Sequence, residues 1–124
     1  MKQKILLVED DTFLSSMYGQ KFQLEGYDVQ LAEDGEKGLE KIQTWQPDLI
    51  LLDMMIPKIS GAEILKKIKA DEALKKIPVI ILTNLDQRAQ IQECINLGAA
   101  DYLIKAHFMP SQVVDKVKQT LAQK

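Results

Sequence analysis

Pro47-Asp48-Leu49-Ile50-Leu51-Leu52-Asp53 places four consecutive large aliphatic residues between a helix-breaking proline and an aspartate. A short unbroken apolar run bounded by turn signals is the pattern of a strand buried on both faces. Asp53 stands at its carboxyl end. In open parallel sheets ligands bind just outside the carboxyl ends of the strands. A central strand would therefore carry the Asp53 carboxylate to the functional rim. Taken alone, an aspartate followed by Pro57 and Gly61 is better explained as the start of a turn, and the rest of the chain decides against that reading.

Upstream, Lys4-Ile5-Leu6-Leu7-Val8 reads as a second buried strand, ending in Glu9, Asp10 and Asp11. Residues 12–25 read as a helix with Phe13, Met17, Phe22 and Leu24 on its apolar face, although Leu14 and Tyr18 blur the period. Gly26 is placed to end it. Asp28-Val29-Gln30-Leu31-Ala32 alternates, as an outer strand does. Asp34 can cap a helix carrying Leu39, Ile42 and Trp45, which Pro47 stops.

Downstream, Ser60-Gly61-Ala62-Glu63 has capping-box spacing and opens a helix with Ile64, Leu65 and Ile68 inward. Ile77 to Leu82 is another buried strand, ending at Thr83-Asn84. Asp86 can cap a helix carrying Ile91, Cys94 and Ile95, closed by Gly98. Asp101 to Lys105 forms a fifth strand. Pro110 suits the first turn of a last helix, with Val113, Val114, Val117 and Leu121 inward. Five strands alternating with five helices call for a parallel α/β sheet covered on both faces. Spacing alone leaves the strand order open, with the purely apolar strands expected at the centre.

The 124 residues suit one domain, expected over 1–124 without an output domain. A net charge of -2 gives no reason to expect binding to nucleic acid or to an anionic membrane. The single cysteine, Cys94, excludes an internal disulfide framework and fits a cytoplasmic setting. No segment approaches the roughly 20 apolar residues of a membrane span, and the start lacks a signal peptide.

The strand ends supply a consistent chemistry: Glu9 and Asp10 from the first, Asp53 from the third, Thr83 from the fourth and Lys105 from the fifth. Three carboxylates sharing one pocket repel each other, which a hard divalent cation such as Mg²⁺ relieves. A lysine and a hydroxyl can take an anion's oxygens. Together with one carboxylate nucleophile, these groups point to phosphoryl transfer onto an aspartate.

In these residues the chain resembles the receiver domain of two-component response regulators, over essentially its whole length. Glu9-Asp10, Asp53, Thr83 and Lys105 match the family's pattern in order and spacing, as do Pro57, Gly61 and Gly98-Ala99-Ala100-Asp101-Tyr102. The resemblance implies a flavodoxin-like sheet in the order 2-1-3-4-5. It implies Asp53 as phosphoacceptor, and Mg²⁺ held by Glu9, Asp10, Asp53 and the backbone carbonyl of Met55. Thr83 and Lys105 would bind the phosphoryl group. Tyr102 would turn inward as Thr83 moves, changing the surface of the fourth helix, fifth strand and fifth helix. Met55 and Leu85, two residues after the acceptor and two after Thr83, would govern loss of the phosphoryl group. A histidine kinase or phosphotransfer protein is the implied donor and another protein the target. A homodimer through the fourth helix, fifth strand and fifth helix is a further expectation, with Asp101 and Lys116 as a pair there.

One departure is visible. The family usually has proline after the lysine, with a cis peptide bond, whereas Lys105-Ala106-His107-Phe108-Met109-Pro110 has none adjacent. A non-proline cis bond costs about 3 kcal/mol, so a trans bond and a rerouted loop are expected, with the reach of Lys105 in question. Three alternatives compete. A phosphatase with an aspartyl nucleophile would carry Asp-x-Asp after the first strand, where this chain has Glu9-Asp10-Asp11. Flavin binding on this fold would use a Ser/Thr/Gly-rich loop there. A receiver that no longer accepts phosphate would lack part of the site. Asp11 reads as a helix N-terminal charge, and lone His107 as a surface residue.

Overall fold

The run Leu49–Leu52 is the central strand, β3, of a five-stranded parallel sheet, and all four residues are fully buried. The computed structural model describes residues 2–123. Met1 and Lys124, the outer bounds expected for the domain, lie outside the described residues. Around β3 the chain runs β1 Lys4–Val8, α1 Thr12–Leu24, β2 Asp28–Ala32 and α2 Gly35–Trp45. After it come α3 Gly61–Ala70, β4 Val79–Thr83, α4 Arg88–Asn96, β5 Asp101–Ile104, a 3-10 turn Lys105–His107 and α5 Pro110–Ala122. The strand order is β2-β1-β3-β4-β5.

Alternation along the strands splits the core in two. Leu6, Val8, Ile50, Leu52, Val79 and Ile81 face one way, onto Ile42 of α2, Ile64, Leu65 and Ile68 of α3 and Cys94 of α4. Ile5, Leu7, Leu49, Leu51, Ile80, Leu82 and Leu103 face the other, onto Tyr18 and Phe22 of α1 and Val113, Val114, Val117 and Leu121 of α5. Full burial of one such aliphatic side chain is worth about 1.5–3 kcal/mol, so the four residues of β3 anchor both layers at once.

Several local expectations are met. Asp34 accepts a hydrogen bond from Lys37 N at 2.8 Å and Ser60 from Glu63 N at 3.2 Å, each capping its helix. Gly26 and Gly98 follow α1 and α4 with φ of 96° and 103°, the left-handed region that glycine enters freely.

Others are corrected. The inward face of α1 is Ser15, Tyr18, Gly19 and Phe22, while Phe13 is 79% and Leu24 86% exposed. Small Ser15 and Gly19 let α1 lie close to the sheet, so period and size pointed to different faces. In α4 only Cys94 is buried, and Ile95 is 43% exposed. The N-cap of α4 is Gln87, with no side-chain hydrogen bond, in place of Asp86. Strand β4 begins at Val79, two residues late, and Lys105 lies in the 3-10 turn beyond β5. The bond after Lys105 is trans as expected, and so is every other peptide bond among the described residues. Within the chain, Asp101 and Lys116 lie 3.8 Å apart.

Candidate functional site

The sheet register assembles the site. Val8 pairs with Leu52, Leu52 with Ile81, and Thr83 with Ile104. The residues that follow, or that close these strands, therefore share one edge. Asp53 N donates to Val8 O at 3.1 Å and Glu9 N to Ala32 O at 2.9 Å, which continues the ladder one residue past the strands. Both carboxylates are thus fixed by backbone, and both are buried.

Asp53 is the hub. Its Oδ1 accepts from the buried Thr83 hydroxyl at 2.7 Å and from Met55 N at 3.0 Å. Its Oδ2 accepts from Lys105 Nζ at 2.8 Å. The same ammonium donates to Glu9 Oε2 at 2.5 Å, while Glu9 Oε1 accepts from Asp11 N at 3.1 Å. The trans route after Lys105 thus still brings its side chain to both acids. Asp11 turns away, capping α1 through Phe13 N and Leu14 N.

The electrostatics follow from burial and these bonds. Burial alone would raise the pKa of Asp53. The hydrogen bonds from Lys105, Met55 N and Thr83 outweigh it and hold the carboxyl below its ordinary value. At Glu9 burial prevails over the bond from Lys105, neighbouring Asp53 adds to it, and the pKa is raised. Burial would lower the Lys105 pKa, but its bonds to Asp53 and Glu9 raise it.

Glu9, Asp10 and Asp53 each offer an oxygen, all within 4.8 Å of one another, with Asp10 exposed and the other two buried. An all-oxygen set open to water on one side fits a hard divalent cation that keeps part of its hydration shell.

Met55, two residues past Asp53, is 63% exposed. Leu85 is half-buried against the α2-α3-α4 layer and lines a cleft with Met54, Gln90 and Cys94. Tyr102 packs on the same layer, and its hydroxyl donates to Leu85 O at 2.6 Å. Burial first, then Cys94, Asp53 and Asp86, push the tyrosine pKa up to about 12. The hydroxyl of this half-buried ring is therefore tied to the loop that leads into α4 while Thr83 is bonded to Asp53. The sequence carried no signal for the Leu85 carbonyl as the ring's partner, because any residue presents a carbonyl. Gly61 was legible as a motif residue but not for its reason: a Cβ there would lie 2.5 Å from Asp53 O. His107 is exposed, and Cys94 is buried 3.8 Å from Met54 Sδ.

Comparison with known proteins agrees with this geometry. A family model described as the response regulator receiver domain matches residues 5–118. The chain is 37% identical over 121 residues to the alkaline phosphatase synthesis transcriptional regulatory protein PhoP of Bacillus subtilis, covering 98% of this chain and 49% of that one. It is 40% identical over 102 residues to the DNA-binding dual master transcriptional regulator RpaA of Synechocystis, covering 82% and 42%. The chain spans about half the length of the curated relatives it matches. A crystal structure of a CheY-like response regulator receiver domain protein from Methanospirillum hungatei superimposes with a TM-score of 0.92 at 28% identity, covering 99% of this chain and 96% of the other.

Proposed function

The chain belongs to the receiver domain family of two-component response regulators, and from that premise we propose that Asp53 is its phosphoacceptor, served by the groups gathered around it. An Asp53 oxygen attacks phosphorus of a phosphohistidine or a small acyl phosphate. The bond from phosphorus to the leaving nitrogen or oxygen breaks, its electron pair departs with that atom, and an acyl phosphate forms. Asp53 needs no base to remove a proton, because Lys105, Met55 N and Thr83 hold it ionised. Lys105 and the Thr83 hydroxyl lie close enough to Asp53 to pass from its oxygens to those of the phosphoryl group.

Glu9, Asp10 and Asp53, with the Met55 carbonyl, would hold Mg²⁺. When bound, Mg²⁺ supplies charge neutralisation at the phosphoryl oxygens. The observation that carries the assignment is the convergence of three donors on Asp53 within 3.0 Å at the rim of the sheet. Incubation with Mg²⁺ and acetyl phosphate followed by intact mass tests it. The parent chain gains one phosphoryl group, and Asp53→Asn or chelation abolishes the gain. A mutant that still gains the mass overturns the assignment.

The remaining functional elements are proposals on the same footing. Thr83 and Tyr102 form the switch that reshapes α4, β5 and α5 for a downstream protein or a second copy. The donor is a histidine kinase or phosphotransfer protein in the cytoplasm. The domain acts on its own phosphoryl group alone, not as a turnover enzyme. Met55 and Leu85, bulky and unable to orient a water by hydrogen bonding, prolong the life of the acyl phosphate.

A further inference from the structure

The loop between β3 and α3 carries Met55, and it is held from outside its own element. Gly35, the first residue of α2, donates its N–H to Pro57 O at 3.0 Å. A Cβ on Gly35 would fall 2.0 Å from Ile59 O, 2.7 Å from Ile59 C and 2.8 Å from Ile59 Cβ. The glycine is required here for close approach of two backbones. Beside it, buried Asp34 caps α2 and reaches Lys58 Nζ at 3.7 Å. Lys58 has a φ of 74°, a conformation that a lysine holds only under constraint.

The other end of the loop is equally fixed. Gly61 N donates to Met54 O at 3.2 Å, and Met54 and Ile56 are buried. The helix applying the outside contact is itself seated on the sheet: Gly38 rests on Val8, where an added Cβ would lie 3.0 Å from Cγ1. Val8 immediately precedes Glu9. The first turn of α2 therefore connects the strand that carries Glu9 to the loop that carries Met55.

We propose that Gly35 is a positioning residue for the cation site, setting the height of the β3-α3 loop over Asp53 and so the place of the Met55 carbonyl, without touching cation or phosphoryl group. The proposal rests on the assignment of Glu9, Asp10, Asp53 and Met55 as the cation's ligands. Relieving a 2.0 Å contact to the 3.0 Å that real Cβ atoms respect moves the loop by 3.0 − 2.0, about 1 Å. Metal–ligand distances tolerate only about 0.2 Å, and Mg²⁺ demands near-ideal octahedral geometry.

The test is a Mg²⁺ titration of the whole chain, followed by amide shifts and by calorimetry. Gly35→Ala should weaken Mg²⁺ binding about tenfold, the lower end for residues that support metal ligands. Its phosphorylation rate with acetyl phosphate should recover to within about threefold of the parent at saturating Mg²⁺, because the loss lies in cation affinity and not in the transfer step. Gly19→Ala, which adds a methyl between α1 and Leu31, 3.4 Å away and apart from α2 and the β3-α3 loop, should leave the affinity within about twofold. A folded Gly35→Ala chain with unchanged affinity overturns the proposal, as does an equal loss in Gly19→Ala. Should Gly35→Ala fail to fold, the parent decides: the Gly35 amide must shift with the same Mg²⁺ midpoint as Met55, and an unmoved Gly35 amide overturns the proposal. If neither Asp53 nor Met55 responds to Mg²⁺, the cation site itself is wrongly assigned and both fall together.

Discussion

Replacing Thr83 by valine removes one hydroxyl from a fully buried position and nearly conserves shape. The main lost interaction is the 2.7 Å hydrogen bond to Asp53 Oδ1, beside a long 3.4 Å bond that the hydroxyl accepts from Leu85 N. A hydrogen bond to a charged group contributes about 1.5–3 kcal/mol net. The methyl that replaces the hydroxyl returns about 0.8 kcal/mol by burial. The expected loss is about 1–2 kcal/mol, or roughly 4–8 °C in Tm at about 4 °C per kcal/mol for a domain of this size. Urea and thermal denaturation of the metal-free chain at neutral pH measure it. A double-mutant cycle with Asp53→Asn then isolates the pair, since the charge that strengthens the bond is absent in that background. The coupling should exceed about 0.5 kcal/mol, the usual scatter of additive sites. A Tm within about 1 °C of the parent, or additive single mutants, would refute the idea that this bond bears on the folded state.

Met55→Asn with Leu85→Glu should accelerate loss of the phosphoryl group after donor removal in excess Mg²⁺, by roughly tenfold or more if water positioning limits the step; a decay no faster than the parent's counts against both residues. Glu25 is held below its ordinary pKa, first by the hydrogen bond from Lys118 and then by that residue's charge. The sign follows: the pair's contribution is present above the unfolded carboxyl's pKa and is lost as pH falls through the lower folded value. Lys118→Met should return the Glu25 titration, read by carboxyl NMR, to the ordinary range, and an unmoved curve would show that the contact does not persist in solution.

The strands, and the gathering of Glu9, Asp10, Asp53, Thr83 and Lys105 at one sheet edge, were legible because their signals are local and redundant. Four aliphatics before Asp53 name a buried strand, and the parallel order forces its end to the rim. The face of α1 was not legible, because apolar size and helical period disagreed: Phe13 and Leu24 drew attention, while Ser15 and Gly19 are small because the sheet is near. Gln87 displaced Asp86 as the cap of α4, a one-residue shift of a kind that cap spacing does not resolve. The reach of Lys105 depended on a loop without its usual proline, and only side-chain coordinates could place its ammonium between Glu9 and Asp53. Gly35 carried no recognisable signal, since its neighbour Ile59 is 24 positions away in sequence.

The sparse anchoring of α4 has an energetic consequence. Neighbouring α3 commits Ile64, Leu65 and Ile68 to the core, whereas α4 commits Cys94 and starts without a side-chain cap. At about 1.5–3 kcal/mol for each large buried apolar side chain, the two helices stand several kcal/mol apart in what it takes to detach them. Inverting a two-state equilibrium from 1:99 to 99:1 needs about 5.5 kcal/mol of differential interaction. A rearrangement that must also dislodge α3 would exceed that, but one confined to α4 and its leading loop stays within reach. Amide exchange should accordingly rank α4 as the least protected of the two. Its first turn follows Leu85, whose carbonyl holds the Tyr102 hydroxyl at 2.6 Å and whose N–H reaches the Thr83 hydroxyl at 3.4 Å, so two side chains of the rim bear on the loop that leads into the more easily released of these two helices.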